Sequence, residues 1–189
     1  LTEIIQGKKI LLVRLAKGMV GADAAPLLGA TILGLLSMCL EEQGAIEEEK
    51  RAQFPILIDE FQALEGVDWS ILAQLRKYGA TFFLATQSLE YLQKLEATLL
   101  PVVLANVRQI YCFNLSAQDA WTIHRELAVE PQDIINLDSY MCYVRLKQGE
   151  QRRPTFSLNI EPPPAISDEQ VRQAEDIMAA SRRTYATPG

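Results

Sequence analysis

Four short apolar runs, each followed by polar or turn-forming residues, organise the first two thirds of the chain. Continuous apolar runs of this length are typical of strands that are buried on both faces, as in parallel sheets. The stretches between them carry apolar residues at helical spacing, so strands and helices are predicted to alternate in an α/β fold. The predicted strands lie at Lys8 to Gly18, Pro55 to Ile58, Ala80 to Ser88 and within Val107 to Leu115.

Capping and breaking residues mark the ends of the predicted helices. Asp23 and Ser116 are candidate N-caps, because their side chains can accept hydrogen bonds from the first free amides of a helix. Gly79 is a candidate helix stop, and Pro101 is expected to interrupt a helix. The predicted helices run from Asp23 to about Glu42, from Trp69 to Tyr78, from Tyr91 to Leu100 and from Ser116 to about Leu127, with a brief helical turn from Pro131 to Leu137.

The last third of the chain predicts an antiparallel hairpin and then a separate helix. Tyr140 to Leu146 and Thr155 to Ile160 flank a polar connection with Gly149 in the turn. Three consecutive prolines then form a stiff linker, and a capping box opens a final helix. We therefore predict that residues 1–161 belong to one α/β domain with a mostly parallel sheet, and that residues 162–189 are a proline linker and a C-terminal helix.

Composition limits what the chain can bind. The formal net charge is −6 and the sequence pI is about 4.9, so no overall basic field attracts nucleic acid or an anionic membrane. If the protein handles DNA, a local basic patch or an assembled ring must provide the surface. Cys39, Cys112 and Cys142 match neither a zinc site nor a disulfide framework, and the last two are expected to be core residues. We expect a cytoplasmic protein, which in full length can lie at the periphery of the inner membrane.

The uncharged segment from Ala24 to Leu40 has two interpretations. It is slightly shorter than the roughly 20 apolar residues that span a bilayer, and it contains Pro26, Gly29 and Gly34. A helix buried against a sheet explains it with less strain than a membrane span. We therefore expect no transmembrane segment in this chain.

Two carboxylates follow the second apolar run at once. Asp59 and Glu60 would lie at the carboxyl edge of a buried strand, which is where open α/β sheets bind their ligands. This is the pattern of a Walker B segment, in which the first acid holds Mg²⁺ through its water shell and the second orients and deprotonates the attacking water. The same pattern also fits a core strand that simply runs into a polar loop.

Two further polar residues flank the third apolar run. Gln87 follows it, and neighbouring parallel strands would bring Gln87 to the same edge as Glu60. An amide there can sense a γ-phosphate or hold the attacking water. Arg76 precedes the run on a helix, from which its guanidinium could reach the nucleotide of a neighbouring subunit. An exposed glutamine and a solvated helix arginine explain the same two residues without any chemistry.

Three segments, in their order and spacing, resemble the motor ATPases of the HerA/FtsK superfamily: FPILIDEFQAL, LRKYGATFFLATQS and LPVVLANVRQIYCFNLSAQDA. The similarity is greatest to the conjugative DNA-transfer branch, which includes type IV secretion coupling proteins. The resemblance implies a fragment of a RecA-like P-loop ATPase fold with ATP and Mg²⁺ as cofactors. It also implies a homo-hexameric ring that translocates DNA and works with conjugation or secretion machinery.

The resemblance assigns a role to each candidate residue. Asp59 would be the magnesium-associated acid and Glu60 the catalytic base. Gln87 would be the sensor glutamine at the nucleotide, and Arg76 the arginine finger offered to the next subunit. Asp119 matches a recurrent acid of the family, for which we expect a structural role.

The chain departs from the family in one respect. A P-loop, GxxxxGK[ST], is absent from its sequence, and the Gly7-Lys8 pair precedes a predicted strand, whereas a P-loop follows one. We therefore interpret the chain as the C-terminal part of a RecA-like domain, which a start at Leu1 in place of methionine also suggests. We expect these 189 residues alone to bind ATP very weakly and not to hydrolyse it.

Two other functions stay open. The chain could be a non-catalytic ATPase-like scaffold or adaptor, or a metal-dependent nuclease that uses Asp59 and Glu60. A nuclease would need a further carboxylate or histidine cluster at the same edge, whereas the other strand ends carry Gln87 and Asn114. His124 is the only histidine, and we expect it to be structural. Four basic pairs could line a DNA channel in a ring, or they could simply lie solvated on the surface. These pairs are Lys8-Lys9, Arg76-Lys77, Arg152-Arg153 and Arg182-Arg183.

Overall fold

A computed structural model describes residues 1–15, 17–64 and 66–186. Its helices are α1 (Thr2–Gln6), α2 (Lys17–Val20), α3 (Ala24–Glu41), α4 (Ile71–Gln74), α5 (Leu89–Leu95), α6 (Leu99–Asn106), α7 (Ala117–Leu127), α8 (Pro131–Ile135) and α9 (Asp168–Tyr185). Its strands are β1 (Phe54–Ile58), β2 (Ala80–Leu84), β3 (Gln109–Cys112), β4 (Met141–Gln148), β5 (Gln151–Arg152) and β6 (Phe156–Asn159). Short 3-10 turns lie at Glu42–Ala45, Glu48–Lys50, Phe61–Ala63 and Leu75–Tyr78.

The α/β prediction is confirmed, with parallel pairing restricted to β1 and β2 among the described residues. These two strands pair in parallel from Phe54↔Ala80 to Ile58↔Leu84. The connection between them carries α4 and two 3-10 turns, as a parallel crossover requires. Gly79 ends the second of these turns in the left-handed conformation, at φ +89, directly before β2.

The predicted hairpin is the core of a second, antiparallel sheet. Strand β4 lies between β3 and β6, and it also pairs with the short β5 through the turn at Gly149. Helix α7 packs on this sheet, and Ser116 caps it by accepting a hydrogen bond from the Asp119 amide at 3.2 Å, as predicted. Glu126 on α7 forms ion pairs with Arg145 and Arg152, which tie the helix to the hairpin.

The larger hydrophobic core lies between helix α3 and the parallel strands. Apolar residues recur along α3 so that one side of the helix is buried. Phe61 and Leu75 are buried in the same core as Ile56. The buried positions of α3 are Ala25, Gly29, Leu33, Leu36 and Leu40.

A strand predicted from Lys8 to Gly18 does not form. Residues 9–15 have no regular secondary structure, Lys17–Val20 is a short helix, and Ala16 lies outside the described residues. Ile10 is 86% exposed, so the apolar run is not buried. A strand needs a neighbour that takes up its backbone hydrogen bonds. No described residues pair with this segment, which is why its composition alone does not make it a strand.

Pro101 lies in the first turn of a helix and does not interrupt one. The expected single helix from Tyr91 to Leu100 is two helices, α5 and α6, and Pro101 is the third residue of α6. The first turn of a helix tolerates proline, because its amides have no partner within the helix.

One face of the parallel pair is open among the described residues. Leu57 and Phe83 are register partners, and they are 74% and 53% exposed. Sheets with parallel strands are ordinarily covered on both faces. Leu27 and Met38 on the outer side of α3 are exposed in the same way. The described residues therefore supply a cover for only one side of β1 and β2.

Helix α3 also bears on the membrane prediction. Ala24–Ala45, 22 residues, is long and apolar enough to cross a membrane by length and composition, a test that core helices of soluble proteins also pass. Five residues on one side of this helix are buried, and 28% of its apolar window is buried. The absence of a transmembrane segment stays a prediction.

The C-terminal helix is formed as predicted. Ser167 and Gln170 form the capping box, and α9 runs from Asp168 to Tyr185. None of its residues is buried. Residues 187–189, the end of the predicted C-terminal part, lie outside the described residues.

Candidate functional site

The acidic pair lies where β1 ends. Glu60 has a left-handed backbone, at φ 47 and ψ 48, and its amide donates a hydrogen bond to Asp59 Oδ1 at 3.0 Å. A left-handed conformation is unfavourable for a residue with a Cβ, and it is typical of functional sites when the surroundings enforce it. The chain therefore makes a sharp turn that directs the two consecutive carboxylates away from the strand.

Backbone hydrogen bonds enforce this turn. The Ala85 amide donates to Ile58 O at 3.0 Å, and the Phe61 amide donates to Ala85 O at 3.2 Å. Phe61 is buried and meets the Trp69 ring edge-on, with centroids 5.0 Å apart. Glu60 is thus fixed between a strand end and a buried aromatic anchor, while its own side chain is free of the core.

The structure brings Gln87 and Glu60 together. Gln87 Nε2 donates a hydrogen bond to Glu60 Oε1 at 2.9 Å. Both residues follow strands that pair in parallel and in register, so the two strand ends place them side by side. The arrangement combines a carboxylate that can accept a proton with an amide that can donate to an anion or a water.

The segment after Gln87 is anchored by a buried acid. Ser88 caps α5 by accepting a hydrogen bond from the Tyr91 amide at 3.2 Å. Asp119, buried on α7, accepts a hydrogen bond from the Glu90 amide at 2.8 Å. This contact holds the start of α5 against α7, and with it the loop that carries Gln87. Asp119 therefore has a structural task.

Arg76 lies at the other end of the parallel strands. It belongs to the 3-10 turn before β2, whereas Gln87 follows that strand. Five residues of extended chain separate the two ends, which is about 16 Å at ~3.3 Å per residue. Arg76 is not part of the site formed by Glu60 and Gln87 in the same chain.

Sequence reasoning missed Gln62, two positions after Glu60. Its Oε1 is buried and has no hydrogen-bond partner among the residues that the structure describes. An unpaired buried acceptor is costly and is uncommon in a folded protein. No motif in the sequence singles out this glutamine, because the signal is a missing partner and not a residue type.

The carboxylates can hold Mg²⁺ only in part. Asp59 Oδ1 accepts a hydrogen bond from the Glu60 amide. The other carboxylate oxygen, Oδ2, can contact a hydrated ion. Within residues 1–15, 17–64 and 66–186, no group of three or more His, Cys, Asp or Glu side chains could hold a metal ion, which is the cluster that a nuclease would need. His124 packs edge-on against Trp121, with ring centroids 5.4 Å apart.

No protein-family model matches the chain, and no curated protein sequence matches it. Several solved structures have a similar fold. A structure titled plasmid coupling protein TrwB in complex with the non-hydrolysable ATP analogue ADPNP aligns with a TM-score of 0.61 and 19% sequence identity, covering 74% of this chain and 37% of that one. A structure of TrwB in complex with ADP and Mg²⁺ aligns with a TM-score of 0.57 and 18% identity, covering 72% and 37%. A structure titled bacterial conjugative coupling protein TrwBdeltaN70, in an unbound form, aligns with a TM-score of 0.57 and 18% sequence identity, and the alignment covers 67% of this chain and 36% of that one.

These similarities confirm the family resemblance at the level of the fold, and with it the predicted RecA-like α/β fragment. The chain spans little more than a third of the length of the coupling-protein structures that it matches.

Proposed function

We propose that this chain is the C-terminal part of an ATP-driven DNA motor of the conjugative coupling type. The observation that carries the proposal is the hydrogen bond from Gln87 to Glu60, at the carboxyl edge of two parallel strands. The fold shared with TrwB, whose structures contain ATP analogues or ADP with Mg²⁺, supports the same conclusion. ATP and Mg²⁺ are the cofactors that we propose for the complete site.

Each residue of the site has a defined task in this proposal. Bound ATP and Mg²⁺ supply the reactive phosphorus and neutralise charge on the phosphates. Asp59 offers Oδ2 to the hydrated ion. Glu60 accepts the proton of the attacking water, and its left-handed backbone keeps the carboxylate at the strand edge. Gln87 holds the Glu60 carboxylate in place, and the same amide could donate to a bound γ-phosphate.

In this proposal Arg76 contributes to the nucleotide site of a neighbouring subunit and not to the site of its own chain. Because it lies at the opposite end of β2 from Gln87, its guanidinium would reach the nucleotide of an adjacent subunit in a ring. A positive group there stabilises the charge that develops on the transferred phosphoryl group. We propose a homo-hexamer that translocates DNA, with conjugation or secretion machinery as its partner.

The proposed site still needs a loop that binds the phosphates of ATP. The sequence holds no P-loop, and one face of β1 and β2 is uncovered among the described residues. We propose that a P-loop strand and its helix, outside these residues, complete the sheet. The isolated chain is then expected to bind ATP very weakly and to show no hydrolysis.

A test uses the full-length protein encoded by the gene. Glu60→Gln is expected to retain ATP binding and to lose hydrolysis by about 10²-fold or more, the usual range for removing a general base. Glu90→Gln is the matched control, since Glu90 is a glutamate in an exposed ion pair with Lys94 at 2.7 Å. Full activity of Glu60→Gln, or a gene without a P-loop, would favour the non-catalytic scaffold instead.

Mixing two inactive variants tests the shared site. If Arg76 acts on a neighbour, Arg76→Ala and Glu60→Gln are each inactive alone. A mixed ring contains interfaces with Glu60 from one parent and Arg76 from the other, so hydrolysis should reappear on mixing. No recovery in rings shown to be mixed would place Arg76 outside the chemistry.

A further inference from the structure

A second charged cluster lies where β3 begins and β4 ends. Lys147, near the end of β4, donates its amide to Arg108 O at 2.9 Å, so the two residues extend the β3–β4 pairing and lie opposite each other. Two like charges in such a cross-strand position destabilise a sheet. An anion between them is therefore expected.

Glu150 provides that anion. One carboxylate oxygen contacts Lys147 Nζ at 2.8 Å, and the other lies 3.8 Å from Arg108 Nη2. Its side chain comes from the turn at Gly149, where φ is +59, and it is 83% exposed. A surface ion pair of this kind contributes little stability, so an external anion can replace the carboxylate at small cost.

The charges of these cations also act on the carboxylate itself. The pKa of Glu150 is held below its usual value, first by the hydrogen bond and charge of Lys147, and further by the charges of Arg108 and Arg76. Two cations from neighbouring strands thus contact a single exposed carboxylate. Their excess positive charge over Glu150 suits an anion with two or more charges, and guanidinium groups bind phosphate oxygens in a fixed fork geometry.

We propose that Arg108 and Lys147 form a phosphate-binding site that Glu150 occupies when no ligand is bound. The site is separate from Glu60 and Gln87 and does not depend on ATP hydrolysis by this protein. Its ligand is a phosphate group, which either a polyphosphate chain or a nucleic-acid backbone can supply. Glu150 acts as a competitor: the phosphate must displace it from the two cations.

The test compares charge variants of this chain for binding of tripolyphosphate and of an unstructured single-stranded oligonucleotide. Lys147→Gln and Arg108→Gln remove a cation each, and each is expected to weaken binding about tenfold. Glu150→Gln removes the competitor, and it is expected to tighten binding roughly two- to tenfold. The ligand that shows both effects identifies the source of the phosphate.

A matched control removes the same charge elsewhere. Glu47 forms an exposed ion pair with Lys50 at 2.6 Å, so Glu47→Gln changes the net charge as Glu150→Gln does. Glu47→Gln should leave the affinity unchanged within about twofold, because screening limits the effect of remote surface charges. Equal tightening by Glu47→Gln and Glu150→Gln would show a general charge effect and overturn the site. So would the absence of binding by both ligands at about 50 mM salt, where phosphate contacts are strong.

Discussion

Gln87 Nε2 and Glu60 Oε1 form a hydrogen bond of 2.9 Å between residues that are 27 positions apart in the sequence. Parallel register places Ile58 beside Leu84, and the hydrogen bond from the Ala85 amide to Ile58 O continues the pairing past the strand ends. The side chains that follow are therefore brought together by the backbone. The proximity of the two positions is a consequence of strand pairing, whereas the hydrogen bond itself is formed by two exposed side chains.

The left-handed backbone of Glu60 predicts a conflict between stability and function. Glycine adopts φ 47 without the cost of about 1 kcal/mol that a Cβ imposes. Glu60→Gly should therefore leave the free energy of unfolding unchanged or raise it by up to about 1 kcal/mol in urea denaturation, although it abolishes the proposed base.

Ala128 is the matched control for this variant. It ends α7 at φ 54, where a glycine cap is favourable, and it is exposed. Ala128→Gly should raise the free energy of unfolding by about 1 kcal/mol and leave ATP hydrolysis by the full-length protein intact. A loss of more than about 1 kcal/mol in Glu60→Gly would mean that this glutamate is retained for the fold and not for chemistry.

Much of the fold followed from the sequence because local signals and pairing agree there. Ser88 and Ser167 both cap helices, but the sequence predicted only the cap at Ser167. That cap belongs to a capping box, which is a recognisable two-residue pattern. The run from Lys8 to Gly18 has strand composition without a pairing partner among the described residues, and composition could not reveal this. Gln62 and the cluster at Glu150 depend on residues from different segments, so no local pattern signals them.

Gly79 is expected to be intolerant of a side chain. A Cβ there would lie 2.4 Å from Ala52 O, a backbone atom that cannot move aside, and φ is +89. Gly79→Ala should lower the free energy of unfolding by about 2–4 kcal/mol and shift the start of β2. Gly34 on α3 is the control, because its Cβ would meet nothing within 4 Å. Gly34→Ala should raise the free energy of unfolding by about 0.5–1 kcal/mol, because alanine favours the helix more than glycine does. Equal effects of the two variants on stability would contradict this account.

Gln43 should be as important to stability as an apolar core residue. Its side chain is 2% exposed, donates to Tyr78 O at 2.7 Å and Ala52 O at 3.2 Å, and accepts from the Ala52 amide at 2.8 Å. Gln43→Ala leaves these backbone groups without partners, so we expect a loss of about 2–4 kcal/mol in urea denaturation. Gln93 on α5 is exposed, and Gln93→Ala should change stability by less than about 0.5 kcal/mol.

The cysteines should differ in reactivity. Burial raises the pKa of the Cys112 thiol to about 12 and also raises the pKa of Cys142, whereas Cys39 is partly exposed. The thiolate is the reactive form, so iodoacetamide at pH 8.5, near the usual thiol pKa of about 8.5, should modify Cys39 first in the folded protein. Mass spectrometry would locate the label.

The same shift gives a pH dependence of stability. A raised pKa favours the protonated thiol in the folded state, so the free energy of unfolding should fall as the pH rises from about 8.5 towards about 12. In urea at pH 8.5 all three thiols should react. Early labelling of Cys112 in the folded protein would contradict its burial.

The terminal helix should be dispensable for the fold of the rest. None of its residues is buried, although Val171 and Met178 present apolar side chains to solvent. A chain that ends at Glu161 should therefore keep the free energy of unfolding of residues 1–161 within about 0.5 kcal/mol, since surface changes away from packed groups have small effects. Circular dichroism would show the loss of one helix, α9, and denaturation would show an unchanged transition.

A shorter chain that ends at Pro154 is the control for this truncation. It lacks β6 as well as α9, and it exposes Cys142 and Val144, the buried residues of β4 that pair with β6, so it should unfold far more easily. Equal stability of both truncated chains would mean that β6 adds nothing to the second sheet. A large loss on removing α9 alone would instead reveal a docking contact of that helix.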